Sequence, residues 1–119
     1  MMTTRLRVEL LTVADCPGKP GAEARIAEIA AELGLSVSLQ IHEVADEREG
    51  EQLRFAGSPT IRVEGVDIEP GWASSGDFTL RCRVYQTATG FQALPERGWL
   101  RSAYEAAAAP TAAGEGDEQ

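Results

Sequence analysis

The sequence contains few of the residues from which disulfide frameworks and metal sites are built. Among its 119 residues are two cysteines, Cys16 and Cys82, and a single histidine, His42. Two cysteines do not make a disulfide framework, and with one histidine they do not complete a closed structural zinc site. We therefore expect no structural metal ion and no resident cofactor.

Positive charge is also scarce, because the chain has 11 Lys and Arg residues against 19 Asp and Glu residues, a net charge of −8 at pH 7. Nucleic acids and anionic membranes are bound by basic surfaces, so neither is expected as a partner. No apolar run is long enough to span a bilayer, and residues 1–5 lack the apolar stretch of a secretory signal. We therefore expect a cytoplasmic protein.

The length and composition are those of one globular domain. A chain of 119 residues with 43% hydrophobic and 25% charged residues can bury one core but not two. Residues 106–119 consist largely of Ala, Gly, Glu and Asp, and such a segment buries too little apolar surface to offset its ordering entropy. We assign residues 1–105 to the domain and predict that residues 106–119 form a disordered acidic tail.

Hydropathy patterns in the first half of the chain predict a βαβα order. Residues 5–13 alternate between apolar and polar, which indicates a strand, and residues 22–33 have the apolar spacing of a helix. Residues 36–42 alternate again and form a second strand with one polar face. The capping-box pattern at residues 46–49 predicts a short helix that ends at Gly57. The first three elements make a parallel βαβ unit.

The second half of the chain predicts a hairpin at residues 60–68, one further strand and a final helix that begins near Pro95. The further strand alternates over residues 80–85, and the side chains on its inward face are Leu80, Cys82 and Val84. The inner face of the final helix consists of Trp99, Leu100, Ala103 and Tyr104. The predicted class is α/β, with a central mixed sheet of four to five strands flanked by about three helices.

The positions of two motifs within this order of elements resemble the thioredoxin-like superfamily. Cys16-Pro17 stands between the first strand and the first helix, and Ser58-Pro59-Thr60 precedes the third strand. More narrowly, the chain is similar to small bacterial thioredoxin-like proteins, which are often labelled thioredoxin family protein or alkylmercury lyase. The resemblance covers residues 6–104, and its other motifs are residues 8–11, 61–63, 80–85 and 99–101.

The resemblance implies a thioredoxin-like fold in which Cys16 is the first cysteine of the redox motif and Pro59 is a cis-proline that faces it. The chain departs from the family at the position of the second, resolving cysteine, where it has Lys19. A dithiol cycle within the motif is therefore impossible, and a single-cysteine arrangement remains.

Cys16 and Lys19 are the predicted catalytic residues. A cysteine at the amino terminus of a helix has its thiolate stabilised by free backbone N–H groups and by the helix dipole, and a nearby lysine acts in the same direction. The proline and glycine residues around Cys16 indicate a turn in which the thiol is exposed. The alternative is a cysteine that only fills the loop.

Ser58, Pro59 and Trp72 are the predicted substrate-binding residues. With Pro59 in the cis form, the backbone of Ser58 faces Cys16 and can pair with an extended thiol peptide such as glutathione, in the manner of an added strand. Trp72 belongs to the turn-rich stretch of residues 70–77. It is expected either to line a pocket near Pro59 or to cover the end of the sheet.

Cys82 is favoured as a small buried hydrophobe on its inward strand face. It is also a candidate second thiol, which would resolve a disulfide of Cys16 or share a soft metal ion with it. Either role requires the two Cα atoms to lie within about 7 Å of each other. His42 falls on the polar face of its strand and is expected to be solvated.

Two functions remain open. The first is a thiol–disulfide oxidoreductase or monothiol redox protein that uses Cys16, with a small thiol or a protein disulfide as its partner and glutathione as a possible co-substrate. The alternative is a thioredoxin-fold binding module without catalysis, which holds a partner protein or a soft metal ion of the mercury type.

Overall fold

The sheet is built around strand β1 (Arg5–Thr12) in the computed structural model, which describes residues 5–73 and 76–108. β1 pairs in parallel with β2 (Ser36–Glu43) and antiparallel with β3 (Thr60–Val63). β3 in turn pairs antiparallel with β4 (Val66–Asp67), so the strand order across the sheet is β2-β1-β3-β4. The predicted parallel βαβ unit and the predicted hairpin are both confirmed.

Three helices accompany this sheet in the described residues, namely α1 (Lys19–Glu32), α2 (Glu47–Leu53) and α3 (Arg97–Ala108). The predicted α/β class, with a mixed sheet of four strands and three helices, is therefore confirmed at this level. Within this part of the chain no helix is long and apolar enough to cross a membrane.

The main core lies between the sheet and the helices α1 and α3. Alternate residues of β1 enter it, because successive side chains of a strand point to opposite faces. The Tyr104 hydroxyl in α3 donates a hydrogen bond to the Ile26 carbonyl oxygen in α1 (2.9 Å), so this buried polar group has a partner. The buried members of this core are Leu6, Val8, Leu10, Ala22, Ile26, Ile29, Ala30, Ile61, Val63, Ile68, Leu100 and Tyr104.

The short helix α2 begins with the predicted capping box. Asp46 Oδ1 accepts a hydrogen bond from the Glu49 N–H (2.9 Å), and Glu49 Oε1 accepts one from the Ala45 N–H (2.7 Å). Glu49 Oε2 also lies 2.9 Å from Nε2 of the exposed His42. The bond from Ala45 and the contact with His42 lower the pKa of Glu49. A smaller core cluster consists of Leu11, Val44 and Phe55.

Element boundaries differ from the prediction at three places. α1 begins at Lys19 rather than at residue 22, because a proline such as Pro20 is compatible with the first helical turn. α2 ends at Leu53, before Gly57, because Arg54 adopts the left-handed backbone conformation (φ 54°). Residues 106–108, predicted to belong to the tail, form the last turn of α3, and residues 109–119 lie outside the described residues.

The predicted strand over residues 80–85 does not form, and of its predicted inward face only Leu80 packs against a core cluster. Cys82 and Val84 are exposed, whereas Arg83 and Tyr85 are buried. The alternation has the opposite phase, because Arg83 meets buried carboxylates and the Tyr85 hydroxyl meets a buried carbonyl group. Cys82 forms an isolated bridge to Ser58, which precedes β3, and a separate hairpin follows, which consists of β5 (Tyr85–Thr87) and β6 (Gly90–Gln92).

Two buried threonines offer a matched test of this core. The hydroxyl of Thr12, at the end of β1, is the one buried side-chain oxygen or nitrogen in the described part of the chain that lacks a hydrogen-bond partner. The equally buried Thr60 donates a hydrogen bond from its hydroxyl to the Gly57 carbonyl oxygen (2.5 Å). An unpaired buried hydroxyl destabilises the fold, and a paired one does not.

We expect Thr12→Val to raise the free energy of unfolding by about 1 kcal/mol, because it removes an unpaired hydroxyl. Thr60→Val should lower the free energy of unfolding by about 1–3 kcal/mol, because it leaves a buried carbonyl without its donor. Denaturant unfolding of the two variants and the wild type measures both effects. An equal loss of stability in the two variants would contradict the described environment of Thr12.

Candidate functional site

Cys16 lies in the turn that joins β1 to α1, two residues before Gly18, the N-cap of the helix. Its carbonyl oxygen accepts a hydrogen bond from the N–H of Lys19 (3.2 Å). The side chain of Lys19 is half-buried. The cysteine is therefore tied to the start of α1, as the sequence predicts. Its predicted exposure is wrong, because Cys16 is only 7% exposed.

The second component of the site is the cis peptide bond between Ser58 and Pro59. Pro59 lies directly against the start of α1, since a Cβ atom placed on Gly18 would be 3.1 Å from the Pro59 Cδ atom. Glycine at this position allows the close approach. Because Gly18 is two residues from Cys16, the proline loop and the cysteine-bearing turn adjoin.

The backbone of Ser58, predicted to pair with a partner peptide, is already paired within the chain. The Ser58 N–H donates to the Arg81 carbonyl oxygen (2.8 Å), and the Ser58 carbonyl oxygen accepts from the Arg83 N–H (2.8 Å). These two bonds make the isolated parallel bridge between Ser58 and Cys82. The Ser58 Oγ accepts a further bond from the Val13 N–H (3.1 Å). Residues 81–83 therefore occupy the backbone groups of Ser58 with which a partner peptide was predicted to pair.

Residues 81–96, termed the covering segment, continue from this bridge towards α1. Tyr85 is fully buried, and its hydroxyl donates a hydrogen bond to the Pro59 carbonyl oxygen (2.5 Å). Burial raises the pKa of Tyr85 above its usual range. The hydrogen bond to Pro59 joins the covering segment to the proline loop.

The far end of the covering segment packs on α1. A Cβ atom placed on Gly21 would be 2.8 Å from Leu94 Cδ1, so Leu94 rests directly on the helix backbone. The Arg25 guanidinium donates a hydrogen bond to the Pro95 carbonyl oxygen (2.5 Å). The segment therefore touches the proline loop at one end and the first turns of α1 at the other. The covering segment therefore contacts the elements on both sides of the turn in which Cys16 is buried.

Arg83 fixes the covering segment through a buried ion cluster. Its side chain is 5% exposed, and its guanidinium donates two hydrogen bonds to the Asp67 carboxylate (2.7 and 3.1 Å) and one to Glu69 (2.7 Å). The guanidinium carbon also lies 4.4 Å from the ring centroids of both Trp72 and Tyr85. Burial disfavours the charge of Arg83, but the hydrogen bonds to Asp67 and Glu69 and the charges around the guanidinium together outweigh burial, and the pKa of Arg83 is raised.

The remaining predicted site residues, Trp72 and Cys82, differ in their surroundings. Trp72 packs on Arg83 and, together with Trp99, lines a cleft of about 400 Å³ whose lining does not include Cys16 or Pro59. Cys82 is an exposed free thiol rather than a buried hydrophobe, and Cys16 is free as well. Among residues 5–73 and 76–108, no group of three or more His, Cys, Asp or Glu side chains is arranged to hold a metal ion.

The Arg83 cluster was not predicted from the sequence. Two signals point to it in retrospect: arginines alternate with apolar residues at positions 81–85, and two carboxylates stand two residues apart at Asp67 and Glu69. Neither signal identifies the pairing, because 14 to 16 residues separate Arg83 from its partners.

The two cysteines provide a direct test of the site. We expect iodoacetamide to alkylate Cys82 at least roughly tenfold faster than Cys16 under native conditions, because alkylation requires an exposed thiolate. The Cys16→Ser and Cys82→Ser variants assign the two rates, and mass spectrometry of the labelled peptides measures them. Equal rates in the folded protein would contradict the burial of Cys16, and equal rates after denaturation are the control.

Comparison with known proteins adds no relative to this description. No family model matches the chain, and neither a curated protein nor a solved structure matches it. The site is therefore described by its own geometry: a buried cysteine at the start of α1, an adjoining Ser58–Pro59 loop, and a covering segment paired with that loop.

Proposed function

We propose that the protein is a thioredoxin-like protein with one motif cysteine, and that Cys16 exchanges thiol and disulfide with a partner. The observation that carries this proposal is the contact between the start of α1, two residues after Cys16, and Pro59. This contact joins the two motifs on which the resemblance rests. The parallel β1–α1–β2 unit, followed by the antiparallel hairpin of β3 and β4, supports the same fold.

In the proposed reaction, the Cys16 thiol loses its proton to solvent and the thiolate attacks one sulfur of a partner disulfide. A new bond forms between the Cys16 sulfur and that sulfur, the old S–S bond breaks, and the other sulfur leaves as a thiolate. A second thiol then attacks the mixed disulfide, becomes oxidised and releases Cys16. Because Lys19 stands where a resolving cysteine would be, this second thiol comes from the partner.

The start of α1 supplies the electrostatic support for the thiolate. The first N–H groups of a helix have no acceptor within the helix and carry partial positive charge, which favours a nearby anion. The ammonium group of Lys19, the first residue of α1, adds a full positive charge at the same end. Both effects act on the thiolate that attacks, which is the reactive form of cysteine.

A binding module without catalysis is the second candidate, and the closed state of the site favours it. Ser58 has both main-chain groups paired with residues 81 and 83, and Cys16 is buried. In this candidate Cys16 contributes packing alone, and a partner protein binds elsewhere on the thioredoxin-like scaffold. A soft metal ion held by two thiolates would further require Cys16 and Cys82 to approach each other.

Reaction with oxidised glutathione separates the two candidates. We expect Cys82→Ser, in which Cys16 is the remaining thiol, to gain one glutathione under native conditions and to lose it again when reduced thiol is added. Mass spectrometry of the intact protein measures both steps. The Cys16→Ser variant, which keeps the exposed Cys82, controls for the reactivity of an ordinary thiol.

One outcome of this experiment would contradict the redox proposal. If Cys16 takes up glutathione only after denaturation, while Cys82 is modified in the native protein, the redox proposal is wrong and the binding module remains. A conservative control is Lys19→Arg, which keeps the positive charge at the start of α1 and should keep the rate of exchange.

A further inference from the structure

We propose that residues 81–83 are an internal occupant of the peptide-pairing edge beside Cys16, and that an extended, arginine-bearing segment of a partner reaches Cys16 by displacing them. The inference rests on the proposed function, because it names the partner of the same cysteine. In this proposal the covering segment controls access to Cys16. The ion cluster of Arg83, Asp67 and Glu69 holds the segment closed and is termed the latch.

The backbone pairing at Ser58 has the hydrogen-bond pattern of an added strand but is limited to one residue. In strand addition an extended peptide gives the exposed edge one acceptor and one donor at every second residue. Arg81 and Arg83 supply these two groups to Ser58 through their backbones. The bridge at Cys82 is isolated rather than part of a ladder. Two backbone hydrogen bonds contribute little net stability against water, so another extended chain can replace them.

The side chain of Arg83 holds this short bridge in place. Its guanidinium bonds both Asp67, in β4, and Glu69, and lies between the rings of Trp72 and Tyr85. Loss of Arg83 leaves the buried Asp67 carboxylate without a countercharge, which favours the closed form as long as Arg83 is in place. Release of the covering segment therefore requires either withdrawal of Arg83 or a substitute for it.

The contacts of residues 81–83 indicate which groups a partner segment needs in order to replace them. It has to bring an acceptor and a donor to the Ser58 backbone, and a planar cation to the carboxylates of Asp67 and Glu69. An extended segment with an arginine in the register of Arg83 meets both requirements, and in our proposal its reactive cysteine directly precedes that arginine, in the register of Cys82. The net charge of −8 attracts such a basic segment over longer distance.

Substitution of the latch tests whether the covering segment controls access to Cys16. In a Cys82→Ser background, we expect Arg83→Lys and Glu69→Gln to increase the rate of Cys16 alkylation by at least about tenfold. Lysine lacks the planar fork that bonds Asp67 and Glu69 together, and glutamine removes one of the two negative charges that face Arg83. The matched control is Arg97→Lys, since Arg97 makes exposed ion pairs with Glu28 and Glu32. This control should leave the rate unchanged.

Denaturant unfolding of each variant separates local release from a general loss of stability. An increase in rate larger than the increase in the globally unfolded fraction supports the latch. An increase that only follows the unfolded fraction, or an equal increase in Arg97→Lys, overturns it. Alkylation reports access alone, so faster alkylation without glutathione uptake would support the latch and refute the proposed redox function. Equal glutathione uptake in Cys82→Ser with and without the latch substitutions would refute the latch and support the redox function.

A peptide tests the kind of partner, with Cys82→Ser as the protein so that Cys16 is the remaining thiol. The probe has the sequence of residues 79–85, with its cysteine joined to 5-thio-2-nitrobenzoate as a mixed disulfide. The Cys16 thiolate attacks the peptide sulfur, a protein–peptide disulfide forms, and the coloured thiolate leaves. In the control peptide the arginine after the cysteine exchanges places with the following valine, so that composition and charge are the same. We expect at least about fivefold faster release from the probe, and equal rates would overturn the proposed partner.

Discussion

The guanidinium group of Arg83 is buried together with the Asp67 carboxylate, next to Glu69 and between two aromatic rings, and the arrangement of the site depends on this cluster. Burial of an unpaired charge is expensive, and removal of one partner from such a pair costs about 3–5 kcal/mol. The cluster therefore ties the covering segment to β4 and to the turn after it. Because the Arg83 N–H also donates to Ser58, the same residue closes the edge beside the Ser58–Pro59 loop.

Because that edge is closed, the position of Cys16 and its burial indicate different reactivities. Its position at the start of α1 and beside the proline loop is the one that a reactive thiol needs, whereas its burial is that of an inert one. The two properties are compatible if the covering segment opens locally while the main core stays folded. The buried residues of the main core belong to the sheet, α1, α3 and the turn after β4, and the covering segment packs against this core through the partly buried Leu94.

Local sequence patterns were sufficient for the elements that depend on local interactions. β1 and β2 follow from alternation, α2 from the Asp46–Glu49 capping box, and the end of α1 from Gly34, which has φ of 67°. The face of residues 80–85 could not be predicted in this way, since a buried arginine is favourable only where carboxylates that are distant in sequence meet it. The flanking prolines and glycines predicted exposure of Cys16, because local sequence does not show that Pro59 and Leu94, which are distant in sequence, pack against Gly18 and Gly21 beside it.

Native-state hydrogen exchange at the Ser58–Cys82 bridge tests the central claim most directly. The amides of Ser58 and Arg83, which make the bridge, should exchange through a local opening whose free energy is at least about 2 kcal/mol below that of the β1 amides. NMR spectra recorded over time in D₂O measure all of these amides in one sample. Exchange of Ser58 and Arg83 with the same free energy as the β1 amides would contradict the account, because the covering segment would then open only when the whole protein unfolds.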